Sequence, residues 1–210
     1  MSPAVLQLLV ANIAMYVAQT LSGNGLVMTF ALWPVGEFPV AGTDGTVGFH
    51  PWQLVTYAFL HDPGSIVHLL LNMFALFMFG RDVEMRLGTR RFLVLYFAAI
   101  LTAGLVQLWV VTATLEQGFA PTLGASGGVF GVLLAFGVLF PKRRVFVLPI
   151  PVPIPAWLLV LGYAAIELTS GVFGTFQGVA HFAHLGGMIG AGIVLLVSLR
   201  RSRVRRRFPE

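Results

Sequence analysis

The chain has 210 residues, of which 57% are hydrophobic and only 10% charged, and its mean hydropathy is +0.87. A soluble domain carries roughly a quarter charged residues, so a chain this poor in polar surface cannot coat a globule, and its solvent is lipid. The lack of cysteine excludes a disulfide framework and a thiolate nucleophile. The formal charge of +5 lies in short basic clusters beside apolar runs, which fits membrane topology and not a nucleic-acid surface.

A helix crossing the hydrocarbon core needs roughly 20 mostly apolar residues. On that ruler the sequence predicts an all-α polytopic membrane protein, a compact bundle of six transmembrane helices. The first runs from about Ala4 to Leu21 and is not expected to be a cleaved signal peptide, because it lacks a basic n-region and is interrupted by Asn12 and Gln19. A Gly-rich connection from Gly23 to Gln53 follows, and its Trp33 and Trp52 are expected to rest on the membrane interface. The second segment covers about Leu54 to Phe79, with an irregular start at Asp62-Pro63-Gly64. The third spans about Phe92 to Thr112 and the fourth about Gly124 to Phe140. After a Pro-rich stretch, Leu148 to Pro155, the fifth covers about Ala156 to Ser170 and the sixth about Val179 to Leu199. No internal repeat of the transporter kind is visible. Residues 1–210 read as a single membrane domain ending in a basic tail, 200–210, suited to anionic headgroups.

Orientation follows from Lys and Arg. Arg81, Arg86, Arg90 and Arg91 join segments two and three; Lys142, Arg143 and Arg144 join four and five; six arginines from Arg200 to Arg207 end the chain. With six spans these places share one side with the N-terminus. The opposite loops carry Glu37, Asp44, Asp62 and Glu116 and no basic residue, so both termini are expected to be cytoplasmic.

Polar side chains inside a membrane are costly and default to functional candidates. Here they are His61, His68 and Asn72 in segment two, Ser126 opening segment four, Glu167 near the outer end of segment five, and His181 and His184 opening segment six. Ser126 and His184 each lie sixteen residues from a basic anchor, Lys142 and Arg200. At about 1.5 Å per residue each stands roughly 24 Å above it, so the two share a level below the outer surface. Alone, Ser126 reads as a helix cap. Gly127 and Gly131 let helices pack closely, and Gly186 and Gly190 form a matching small face after His184, so a close pair of helices would bring Ser126 near His184. His68 and Asn72 share a helix face and serve either as interhelical glue or as donors to an oxyanion. His181 and His184 share a face too, and by themselves could be metal ligands.

Gly124-Ala125-Ser126-Gly127 resembles the G-x-S-G of rhomboid intramembrane serine proteases, His68-Leu69-Leu70-Leu71-Asn72 their H-x-x-x-N, and Ala183-His184-Leu185-Gly186-Gly187 their A-H-x-x-G. The three motifs fall in order on the second, fourth and sixth spans. Gly80, Glu84 and Gly88 look like the family's cytoplasmic turn, and Trp52-Gln53 stands where a Trp-Arg pair is frequent. The resemblance implies a rhomboid-like fold and a serine endopeptidase cutting transmembrane segments of other membrane proteins, with no cofactor and no nucleic-acid partner. It makes Ser126 the nucleophile, His184 the general base, and His68, Asn72 and the Ser126 backbone N–H the oxyanion hole. Phe130 would stack on His184, His181 would help retain water, and Gly124 and Gly127 belong to the serine motif. The expected location is the plasma (inner) membrane, multi-pass, with the site opening outward and a lateral gate at segment five with Phe173 and Phe176. Gln53 in place of arginine puts that loop's anchoring in question, and the Asp62–Gly64 insertion alters the rim. Glu167 is the only intramembrane carboxylate that could orient the imidazole, but the resemblance assigns it no such role and it could simply reach the outer interface. Competing readings are a zinc hydrolase using some of His61, His68, His181 and His184, which has no H-E-x-x-H, a non-catalytic rhomboid-like binder, and a transporter.

Overall fold

In the computed structural model the described residues are 2–40, 44–114, 120–146, 152–175 and 180–207, with side chains through Ser198. Eight helices appear among them: α1 (Pro3–Ser22), α2 (Gly25–Phe30), α3 (Gln53–Thr56), α4 (Ile66–Leu87), α5 (Thr89–Ala113), α6 (Ser126–Leu139), α7 (Ala156–Phe173) and α8 (His181–Arg207). Two-residue antiparallel pairs tie the loops: β1 (Phe38–Pro39) with β2 (Thr46–Val47), and β3 (Arg144–Val145) with β4 (Ile154–Pro155).

Five helices, α1, α4, α5, α7 and the 181–198 part of α8, are long and apolar enough to span a bilayer. The sixth, α6, has only 14 residues, about 21 Å at the usual rise, and lies within the bundle with most of its residues buried. The burial pattern is that of a protein dissolved in lipid. Leu71, Phe74, Trp109, Leu161 and Leu196 are exposed, whereas Asn12, Gln19, Glu84 and Glu167 are buried. The chain is thus an all-α, multi-pass membrane protein.

The second predicted segment is divided. Residues from Leu54 belong to α3 and a 3-10 turn, Tyr57–Phe59, and the spanning helix begins only at Ile66. Pro63 cannot continue a helix, and Asp62 closes a turn instead, its Oδ1 accepting Gly64 N–H at 2.9 Å and its carbonyl accepting Ser65 N–H at 3.1 Å. At its other end α4 runs past Phe79 to Leu87 and stops at Gly88, whose φ of +82° is cheap only for glycine.

The bundle is held by close packing of α5, α6 and α8, where small residues replace the hydrophobic effect that lipid cannot supply. A Cβ on Gly127 would lie 2.5 Å from the Ala103 Cβ, and one on Gly131 2.5 Å from that of Ala99. The match between glycines differs from expectation. Gly187, not Gly186 or Gly190, faces the Gly127 backbone on α6; Gly186 and Gly190 abut α5 at Thr102, Ala103 and Ala98. One residue on a helix turns the face by about 100°, so α8 presents small residues to two neighbours at once. Toward the basic loops, larger side chains fill the core, with Phe79 and Phe136 rings 5.0 Å apart.

That end is closed by Glu84, buried with 3% of its surface exposed. Its two oxygens accept the N–H groups of Ala4 (3.1 Å) and Val5 (3.0 Å) at the start of α1, and Oε1 also accepts the Thr89 hydroxyl at 2.8 Å. A carboxylate here satisfies orphan amides of the helix N-terminus and meets its dipole. The outer connection has its own clasp. Gln53, fully buried, accepts His50 N–H at 3.1 Å and Trp33 N–H at 3.3 Å, and donates to the Gly48 carbonyl at 3.1 Å. Its place in the loop is therefore anchored, against the doubt raised by the missing arginine. Trp52 donates to the Thr29 carbonyl at 3.1 Å and stacks on His50 with ring centroids 4.4 Å apart.

Candidate active site

Ser126 is the first residue of α6 and His184 lies in the first turn of α8. The glycine-lined contact between those helices brings the serine Oγ to 2.8 Å from the histidine Nε2. The Phe130 ring lies one helical turn after Ser126 and stacks on the imidazole at a centroid distance of 4.2 Å and an interplanar angle of 5°. Tyr163 of α7 meets Phe130 edge-on at 5.9 Å. A ring clamped in this way has one orientation, with Nε2 turned to the hydroxyl.

His68 and Asn72 come from α4. Asn72 donates to the His68 carbonyl at 2.9 Å, an i to i−4 bond that uses one of its two amide hydrogens. His68 Nδ1 accepts the Asp62 N–H at 3.4 Å, which in a neutral ring leaves Nε2 as the donor. That edge lies against Gly124: a Cβ there would be 3.0 Å from His68 Nε2 and 3.8 Å from Ser126 Oγ. Gly124 also has φ of +128°, so both its conformation and the space beside it require glycine. The Gly124 N–H donates to the Tyr57 carbonyl at 3.0 Å, tying the serine loop to the 3-10 turn.

Three residues are placed otherwise than the sequence led us to expect. Glu167 does not reach the outer interface. It is 6% exposed, with Oε2 at 2.6 Å from His181 Nδ1 and 2.9 Å from His184 Nδ1. His181 has no ring nitrogen to offer water, because Nε2 lies 3.0 Å from the Thr175 carbonyl. His61 is outside the spanning helix and fully buried, its ring 5.2 Å from that of His68. Burial, with His68 acting in the same sense, pulls its pKa down to about 4. Its backbone is clasped by Gln19, which accepts the His61 N–H and donates to the His61 carbonyl, each at 2.9 Å. The four histidines therefore do not converge. Among the described residues, the donor atoms close enough to share a cation are those of Glu167, His181 and His184, within 4.8 Å of one another. Of the suggested gate, Phe173 is 77% exposed at the end of α7, and Phe176 lies outside the described residues, as does Glu116.

Residues 48–202 match the family model described as Rhomboid domain. The chain belongs to the rhomboid family. Its relatives include "Rhomboid protein 1, mitochondrial" of Saccharomyces cerevisiae, 34% identical over 159 residues that cover 73% of this chain and 44% of that protein. Another is "Rhomboid protease GlpG" of Yersinia enterocolitica, 27% identical over 188 residues, 89% of this chain and 59% of the relative. A third, "Presenilin-associated rhomboid-like protein A, mitochondrial" of Danio rerio, is 31% identical over 126 residues, 60% and 32% of the two lengths. This rhomboid thus aligns with 32% to 59% of the length of these relatives. Two of them are named as mitochondrial and one as a protease.

Proposed function

We propose that this rhomboid is a serine endopeptidase that cuts transmembrane segments of other membrane proteins, with Ser126 as nucleophile and His184 as general base. The observation that carries the reading is the 2.8 Å approach of His184 Nε2 to Ser126 Oγ under the Phe130 stack, inside a largely apolar bundle. Nε2 takes the serine proton as Oγ attacks the scissile carbonyl, then returns it to the leaving amine. The tetrahedral oxyanion is met by the Ser126 N–H, free at the start of an uncapped helix, and by His68 Nε2–H. The remaining amide hydrogen of Asn72 is a third donor. By the positive-inside rule the basic loops and both termini face the cytoplasm, and the site opens to the opposite side of the plasma (inner) membrane. A substrate helix must unwind locally before its peptide bond is accessible. It enters beside α7, the proposed gate, so tethering α4 to α7 should block cleavage.

The test is cleavage of a fluorescent single-pass reporter in liposomes by wild type, Ser126→Ala and His184→Ala, each with and without chelator. Cleavage that resists chelator and disappears in both variants is the expected result. Cleavage that persists in Ser126→Ala would overturn the reading. Loss of wild-type cleavage on chelation would favour a metal on Glu167, His181 and His184, whose donor atoms lie within 4.8 Å of one another.

A further inference from the structure

The proposed reaction uses Nε2 of His184 and leaves Nδ1 unassigned. That nitrogen lies 2.9 Å from Glu167 Oε2, and both residues are buried, 7% and 6% exposed. The approach is oblique to the ring N–H, so Nδ1 has no well-formed hydrogen bond, and the contact is electrostatic. The same Oε2 lies 2.6 Å from His181 Nδ1.

Proton positions follow from the partners. The Thr175 carbonyl, which only accepts, faces His181 Nε2 at 3.0 Å, so Nε2 carries hydrogen. A further proton lies between His181 Nδ1 and Glu167, giving imidazolium with carboxylate or imidazole with carboxylic acid. Either way the pair has zero net charge, which makes its burial in a membrane tolerable. His184 must keep Nε2 bare to receive the serine proton, so its own proton sits on Nδ1 and points toward Oε2. With two N–H groups converging on one oxygen, the ionised carboxylate and the His181 imidazolium are the consistent arrangement. The turn after α7 sets it up: Gly174 takes the left-handed conformation at φ +65° and the Thr175 carbonyl follows, within reach of α8.

We infer that Glu167 is a positioning residue for His184, holding its proton on Nδ1 so that Nε2 is free for Ser126, and that His181 is the counter-ion keeping Glu167 ionised. The inference rests on the proposed serine mechanism. In the acylation step the serine proton moves to His184 Nε2, the Nδ1 proton stays where it is, and Glu167 gains none. Because His181 already neutralises the carboxylate, its contribution is chiefly tautomer and orientation.

This arrangement makes an unusual demand on substitutions. In Glu167→Gln the atom in the Oε2 position faces both histidines. Presenting the amide oxygen would leave the His181 imidazolium without a counter-ion, so the amide nitrogen is turned inward instead. It then donates to His184 Nδ1 and forces the proton onto Nε2, the wrong tautomer, a fault that costs about 10⁴-fold in a full triad. Glu167→Ala leaves the tautomer free.

The experiment measures kcat and KM for the single-pass reporter, and the rate at which a fluorophosphonate labels the serine, in wild type, Glu167→Gln, Glu167→Ala and Ser126→Ala. Thermal unfolding in the same detergent gives the folded fraction to which rates are normalised. Glu167→Gln is expected to lose on the order of 10²-fold or more in kcat and in labelling, with KM nearly unchanged, as tautomer faults do in triads. Glu167→Ala is expected to lose about tenfold, although it is the less stable protein. A residue that merely fills space would give the reverse order, since glutamine is the closer isostere. Glutamine equal to wild type, or milder than alanine, overturns the inference while Ser126→Ala remains inactive; cleavage by Ser126→Ala overturns the serine mechanism and this inference with it.

Discussion

Two carboxylates among the described residues are buried in this bundle, one at each end, and they keep different company. Glu84, near the basic loops, is surrounded by donors that never change charge: two backbone amides of α1 and the Thr89 hydroxyl. Glu167, at the opposite level, is surrounded by imidazoles, rings whose two nitrogens can each donate or accept according to tautomer. The first arrangement stores stability in a fixed hydrogen-bond set. The second holds a proton in a chosen place, which stability alone does not require. A buried acid is thus informative through its partners more than through its burial.

Substitutions should separate the two ends. The largest effect is expected from Gly187→Val, because any Cβ there falls within the Gly127 backbone and must push α6 from α8. A loss of about 3 kcal/mol or more, read by thermal unfolding, should be accompanied by complete loss of reporter cleavage, since Ser126 and His184 part. Glu84→Ala comes next, at about 3 kcal/mol for charge-assisted bonds to buried donors. Turnover per folded molecule should stay near wild type; a large fall in turnover would mean the two ends are coupled. His68→Ala should do the opposite, lowering turnover by roughly 10- to 1,000-fold with little change in unfolding temperature. The smallest effect is expected for Asp82→Asn. Its partner Arg143 lies 2.8 Å away but is 53% exposed, and such surface pairs contribute about 1 kcal/mol or less. A larger cost would show that this pair belongs with Glu84.

Much of this was legible in the sequence for a simple reason: a spanning helix repeats one instruction, apolarity, over a known length. The four long spans other than the second were readable to within a few residues. Equal counts from Ser126 and His184 to their basic anchors also placed the two at one level. The second span was misjudged because Leu54 to Phe59 is apolar without being part of the crossing; a turn around Pro63 separates them from the spanning helix. What axial counting cannot supply is azimuth. Whether Gly186 or Gly187 faces α6, and whether Glu167 faces lipid or α8, depends on rotations of tens of degrees between helices that are remote in sequence. For the same reason the sequence left Glu167 with two readings, a partner of the imidazole or a reach to the outer interface. Gln53 was hard to read for another reason, because its four partners, among them the Thr29 carbonyl at 3.4 Å, are all backbone atoms and leave no signature of residue type.

The shortness of α6 bears on how a substrate is selected. Its 14 residues fall about 9 Å short of a hydrocarbon core about 30 Å thick. That missing length leaves the start of α6 inside the bundle, with a floor of first-turn amides that lack intrahelical partners. An intact helix has nothing to offer such a floor, since its own carbonyls are already engaged. A segment that frays has both the slimmer cross-section to enter and the freed carbonyls to bind. Under the proposed activity, discrimination would rest on the helical instability of the guest more than on its side chains, sorting membrane proteins by how readily they come undone.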